Sequence, residues 1–183
     1  MTAEQAASRS VAVFGSSDPI ETDPLYETAR QVGRLLARSG FVVVTGGYAG
    51  VMEAASRGAL EAGGTTLGIT TRALSPLRAA PNPYLTLHLE EADLFDRTRE
   101  LIGRSAGYII LPGKAGTLAE LTFLWALNRA RLLQDRPIVL LGASWRSYLE
   151  QVATLALVDR REIEITHVAA TPEEAVDMIR SRI

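Results

Sequence analysis

The chain has 183 residues, 47% of them hydrophobic and 22% charged, with a formal net charge of −2. That size and balance suit one globular domain with a large core and give no reason to expect a nucleic-acid or membrane-surface partner. Cysteine is absent, which excludes disulfides, thiolate nucleophiles and cysteine-based metal sites. The two histidines, His88 and His167, do not stand at metal-ligand spacing, so no metal site is expected.

Apolar runs alternate with amphipathic stretches along the whole chain, the pattern of a doubly wound, Rossmann-like α/β domain with a mostly parallel sheet and helices on both faces. Val11–Phe14 reads as a first buried strand, ending in Gly15-Ser16-Ser17. Asp23-Pro24 then supplies an N-cap and a first-turn proline for a helix that ends at Gly40. Phe41–Thr45 is a second strand stopped by Gly46-Gly47, and a helix through Val51, Met52, Ala55 and Ala59 closes at Gly63-Gly64. Thr65–Thr70 is a third strand, followed by a proline-containing loop from Arg72 to Pro83.

Tyr84–Leu89 resumes as a strand carrying His88, and Asp93–Ser105 is a helix. Tyr108–Leu111 is the most hydrophobic strand; it breaks at Pro112-Gly113 before a helix from Thr117 to about Leu133. Pro137–Leu141 is a strand, Trp145–Leu157 a helix, and Ile163–Val168 an edge strand carrying His167. Thr171-Pro172-Glu173-Glu174 opens the last helix as a capping box with proline at its first position. Without repeats or a linker, residues 1–183 are expected to form one domain. The polar, acidic start and the lack of a long apolar run point to a cytoplasmic protein without a signal peptide or membrane span.

In open parallel sheets a ligand sits beyond the carboxyl ends of the strands, where strand order reverses. Three buried strands here end in small or glycine-rich turns: Gly15-Ser16-Ser17, Gly46-Gly47, and Gly113-Lys114-Ala115-Gly116 leading into Thr117. The last presents helix N–H donors to an anion, with a threonine hydroxyl and Lys114, the only lysine in the chain. It has neither Walker A spacing nor the dinucleotide fingerprint, which favours a ligand of monophosphate size over NAD or ATP. Thr117-x-x-Glu120 also fits a capping box, in which the glutamate would only bond a backbone amide.

At this loop the sequence resembles the Lonely Guy (LOG) family, once labelled possible lysine decarboxylases. The family's Pro-Gly-Gly-x-Gly-Thr-x-x-Glu signature is matched at Pro112, Gly113, Gly116, Thr117 and Glu120, and Arg97 falls where its upstream arginine does. Gly46 to Met52 is similar to a second glycine element of the family. The resemblance implies a phosphoribohydrolase that cleaves the N-glycosidic bond of a purine or cytokinin-type nucleoside 5′-monophosphate. It also implies Arg97 and Glu120 as the catalytic pair, a phosphate-holding glycine loop, no cofactor, and a homodimer or larger homo-oligomer.

There are departures. Thr98 stands in place of the family's lysine, Lys114 in place of the second glycine of its loop, and Glu53 in place of a further glycine. Gly50–Ala55 and Asn82–Thr86 look instead like a sister group that includes molybdenum-cofactor carrier proteins, which implies a non-catalytic binder of a phosphorylated pterin or nucleotide as the alternative. Decarboxylation through pyridoxal phosphate is disfavoured, because the sole lysine lies inside the anion loop. The helix from Thr117 carries Leu121, Leu124, Trp125, Leu127 and Asn128, either as a subunit interface or as buried core.

Overall fold

The computed structural model describes residues 9–74, 80–133 and 136–183. The chain runs β1 (Ser10–Phe14), α1 (Pro24–Arg38), β2 (Val42–Thr45), α2 (Val51–Glu61) and β3 (Thr66–Thr71). A 3-10 turn follows at Arg72–Leu74, then β4 (Leu87–Glu91), α3 (Leu94–Gly103), β5 (Gly107–Ile110) and α4 (Ala115–Arg129). The chain ends with β6 (Ile138–Leu141), α5 (Ser144–Thr154), α6 (Arg160–Glu164), β7 (Thr166–Ala169) and α7 (Pro172–Arg180). Residues 75–79, within the expected Arg72–Pro83 loop, lie outside the described set.

The strands form one seven-stranded sheet in the order β4-β3-β2-β1-β5-β6-β7, with every neighbouring pair parallel. A parallel sheet needs cover on both faces, which is why its central strands are apolar at successive positions. In β1, Val11 and Val13 pack with α1, α2 and α7, whereas Ala12 and Phe14 face the layer of α3, α4 and α5. The chain winds outward from β1 to β4 and then returns to the other side of β1 as β5. Strand order therefore reverses between β1 and β5, and the loops after these two strands frame the crevice.

Three elements differ from the sequence expectation for local reasons. β4 begins at Leu87 rather than Tyr84, because Thr86 pairs with a side chain before the ladder starts: its amide donates to Thr66 Oγ1 at 2.8 Å, and its own Oγ1 accepts from the Thr66 amide at 2.8 Å. Ile163 and Glu164 belong to α6, not to an edge strand, which starts only at Thr166. There the Glu162 amide turns back to the Asp159 carbonyl, and Thr166 Oγ1 donates to the Glu162 carbonyl at 2.6 Å. Helix α4 starts two residues before Thr117 and ends at Arg129; Arg131, at φ 59°, takes the chain out of the helical register short of Leu133. Among the described residues no helix is long and apolar enough to cross a membrane.

Candidate active site

The two loops at the reversal point are stitched together by backbone. The Ser16 amide donates to the Pro112 carbonyl at 3.2 Å, and the Ser16 carbonyl accepts from the Val51 amide at 2.9 Å. Gly113 permits this approach, since a Cβ there would lie 2.1 Å from Thr117 Oγ1 and 3.0 Å from the Ser16 amide nitrogen. Lys114 is the N-cap of α4 in extended conformation, with Ala115, Gly116 and Thr117 as the first helical residues. Their amides are among those that an α-helix leaves without an internal acceptor, at the positive end of its dipole. Lys114 Nζ lies 2.5 Å from Asp18 Oδ2 across the crevice, both side chains being largely exposed.

With Lys114 at the N-cap, Thr117 lies inside the first turn, and Thr117-x-x-Glu120 is not a capping box. Glu120 is freed from that structural duty. It sits one turn further along α4, half-buried, and among the described residues its carboxyl makes no hydrogen bond. Burial pushes its pKa up to about 7, against the opposing pull of the Arg97 positive charge.

Arg97, on α3, is buried at 8% exposure. Its Nε donates to the Ile69 carbonyl at 2.8 Å and its Nη2 to the Gly46 carbonyl at 3.3 Å, so one guanidinium ties together the ends of β2 and β3. The same group lies 5.9 Å from the centre of the Tyr48 ring, and Met52 Sδ is 4.0 Å from Nη2. Gly46 is required here, because a Cβ would come within 1.8 Å of Nη2 and 2.6 Å of the Met52 sulfur. Gly46 and Gly47 are both buried; the Gly47 carbonyl accepts from the Asn82 amide at 2.9 Å.

A cavity of about 730 Å³ runs between α3 and α4. Arg97, Gly116 and Glu120 line it together with the apolar side chains of Phe95, Phe123 and Leu127. The two residues that the family resemblance pairs, Arg97 and Glu120, thus open into one space, which Gly116 connects to the glycine loop. Gly15, Ser16 and Ser17 stand on the β1 side of the crevice, and Gly113–Thr117 on the β5 side.

Asp18 was not singled out by sequence reasoning, and Tyr48, Met52 and Asn82 entered it only as members of glycine and sister-group motifs, without a role of their own. Tyr48 is pinned by its hydroxyl, which donates to the Thr71 carbonyl at 3.0 Å, and Asn82 Nδ2 donates to the Tyr48 carbonyl at 3.1 Å. Asp18, an acidic residue shortly after Gly15-Ser16-Ser17, carried the one usable signal, as a charge complement to the lone lysine. Glu53, in the first turn of α2, accepts from the Tyr26 hydroxyl at 2.8 Å; burial, first, and that carboxylate raise the tyrosine pKa above its ordinary value. His88 Nε2 is bonded to Thr70 Oγ1 at 2.7 Å, away from this crevice. Among the described residues no cluster of histidine and carboxylate groups could hold a metal.

Residues 8–176 match the SLOG cluster4 family. The chain belongs to that family. Two curated relatives, both cytokinin riboside 5′-monophosphate phosphoribohydrolases, align over nearly the whole length. The protein from Mycobacterium marinum is 30% identical over 91% of this chain and 90% of its own, and that from Rhodococcoides fascians is 30% identical over 94% and 90%. Among solved structures, the molybdenum cofactor binding protein from Rippkaea orientalis superposes with a TM-score of 0.74 at 26% identity, covering 94% of this chain and 95% of that one. This member of the SLOG cluster4 family therefore has the LOG-type α/β fold that the glycine loop suggested.

Proposed function

We propose that this protein is a phosphoribohydrolase, cleaving the N-glycosidic bond of a purine or cytokinin-type nucleoside 5′-monophosphate to free base and ribose 5-phosphate. The observation that carries this reading is the shared cavity of Arg97 and Glu120, which Gly116 joins to the N-terminus of α4. The 5′-phosphate lies on the amides of Gly113–Thr117, with Ser16, Ser17 and Lys114 around it and Gly15, Gly46 and Gly47 shaping the floor. The sugar then faces Glu120, and the base extends along the apolar wall of Phe95 and Phe123. Water attacks the anomeric carbon as the bond to the base nitrogen breaks. Glu120, as a carboxylate, orients that water, takes its proton and stabilises the positive charge that develops on the sugar. The base nitrogen leaves with the electron pair of the broken bond and takes up a proton, which restores the balance once Glu120 gives up its own.

Arg97 holds the Gly46 and Ile69 carbonyls in place and keeps a positive charge beside Glu120, which limits the rise in its pKa. The names of the aligned relatives support this reading. Exposed Phe95 and Phe123, beside the same cavity, support a homodimer built on the α3–α4 face. The cytoplasm, where nucleoside monophosphates are made, is the setting that this substrate implies.

A second reading is a non-catalytic carrier of a phosphorylated pterin or nucleotide. The resemblance of Gly50–Ala55 and Asn82–Thr86 to the carrier group favours it, together with the likeness to the Rippkaea orientalis protein. Chromatography of mixtures containing AMP, N6-prenylated AMP, or the matching nucleosides without phosphate tests both. Hydrolysis of the monophosphates but not the nucleosides supports the first reading. Retention of a phosphorylated ligand without base release supports the second.

A further inference from the structure

The anion loop holds its own counter-charge. Asp18 lies beyond Ser17 in the loop after β1, where its amide donates to Ser16 Oγ at 3.2 Å, and its carboxylate meets Lys114 Nζ at 2.5 Å. Lys114 is the N-cap of α4, so the pair spans the crevice between the two loops that the Ser16–Pro112 hydrogen bond draws together. An exposed pair of this kind contributes little to stability and yields readily to a competing charge. Its electrostatic consequence is larger than its stability. With Asp18 beside it, part of the positive charge of the chain's only lysine is offset in the crevice.

We propose that Asp18 is a built-in competitor for phosphate, which sets how tightly the loop holds a phosphorylated ligand by occupying Lys114 when the site is empty and opposing the phosphate when it is filled. The proposal rests on the reading of Gly113–Thr117 as the phosphate site. A phosphate on the α4 amides draws Lys114 away from Asp18 and remains within range of the repelling carboxylate. The site accordingly binds ribose 5-phosphate weakly enough to release it. Removing the carboxylate leaves an uncompensated lysine beside the helix N-terminus and tightens retention of any phosphate monoester.

The test is calorimetric titration of inorganic phosphate and of ribose 5-phosphate into the full-length protein and its Asp18→Asn, Asp18→Ser, Lys114→Ala and Asp18→Asn/Lys114→Ala variants, in low salt and in high salt. Both Asp18 variants are expected to bind each probe about three- to tenfold more tightly in low salt, the range for one nearby charge close to water. The gain is expected to shrink in high salt and to be smaller when Lys114 is already alanine. Unchanged affinity in both Asp18 variants, with binding otherwise intact, overturns the role of Asp18 alone. No binding of either probe by any of the proteins overturns the phosphate site itself, and the proposal with it.

Discussion

Arg97 and Glu120 project into one cavity from α3 and α4, yet only the arginine is tied down. Its guanidinium donates to the Ile69 and Gly46 carbonyls, whereas among the described residues the Glu120 carboxyl has no hydrogen-bond partner. A fixed cation and an adjustable carboxyl are suited to different tasks, the one to hold geometry and the other to change charge during a reaction. Glu120, with its pKa near 7, is poised between its two forms at neutral pH. Since the carboxylate is the active form in the proposed reaction, kcat/KM should rise with pH through a limb near 7, not near the ordinary carboxylate value. A pH series of base-release rates at substrate concentrations well below KM checks this; a rate that falls through pH 7 would instead make Glu120 a proton donor.

The same carboxyl makes stability depend on pH. Its folded-state pKa lies above the ordinary 4.5, so between pH 4.5 and about 7 the folded state holds more of the proton than the unfolded state does. Stability from this group is full below 4.5 and is lost as pH rises through 7. Glu120→Gln removes the effect. The variant and the parent should melt alike at pH 4, and the variant should be more stable at pH 8 by about 1–3 kcal/mol, a range that discounts residual solvation of a half-buried group. Urea denaturation at the two pH values measures the difference.

Gly46 should tolerate no side chain. A methyl group in Gly46→Ala would overlap Arg97 Nη2 and press on Met52 Sδ, which forces the guanidinium off the two carbonyls. Arg97→Lys keeps the charge but replaces a planar fork with a point donor that cannot serve both carbonyls in the same way. Each variant should lose about 2–4 kcal/mol of stability, the scale of losing charged hydrogen bonds in a buried site, and base release should fall with it. Equal denaturation midpoints for parent and variants would mean that Arg97 does not hold the ends of β2 and β3.

Much of the fold could be read from periodicity, because a parallel sheet buried on both faces writes its strands as apolar runs and its helices as amphipathic stripes. Gly113 and Thr117 were legible because a glycine loop entering a helix has one obvious electrostatic use. The packing around Arg97 was not. Gly46 read as a ligand-facing glycine, whereas its lack of a side chain makes room for an arginine 51 residues away in sequence. Tyr48, Met52 and Asn82 gain their roles only once the Gly46–Gly50 turn has folded against α3 and the segment before β4. The Thr117–Glu120 spacing misled for a related reason: a capping box depends on where the helix starts, and Lys114 takes that position.

The proposed homodimer should be built on the α3–α4 face. On α4, Leu121, Leu124, Trp125 and Asn128 are buried in the core, while Phe123 is 45% exposed and Phe95 on α3 is 82% exposed. The helix thus serves the core on one side and offers apolar surface on the other. Phe123→Glu should shift the protein towards monomer in sedimentation velocity while leaving its circular dichroism spectrum intact. An unchanged sedimentation coefficient would exclude this face as the interface.

The most direct test of the central claim follows free base and ribose 5-phosphate together after AMP or N6-prenylated AMP is added to the parent protein and to Glu120→Gln. The account predicts equimolar release of both products by the parent and a loss of at least about a hundredfold in the variant, the lower range for removing a general base. Undiminished release by Glu120→Gln, or none by the parent with any monophosphate, would contradict it.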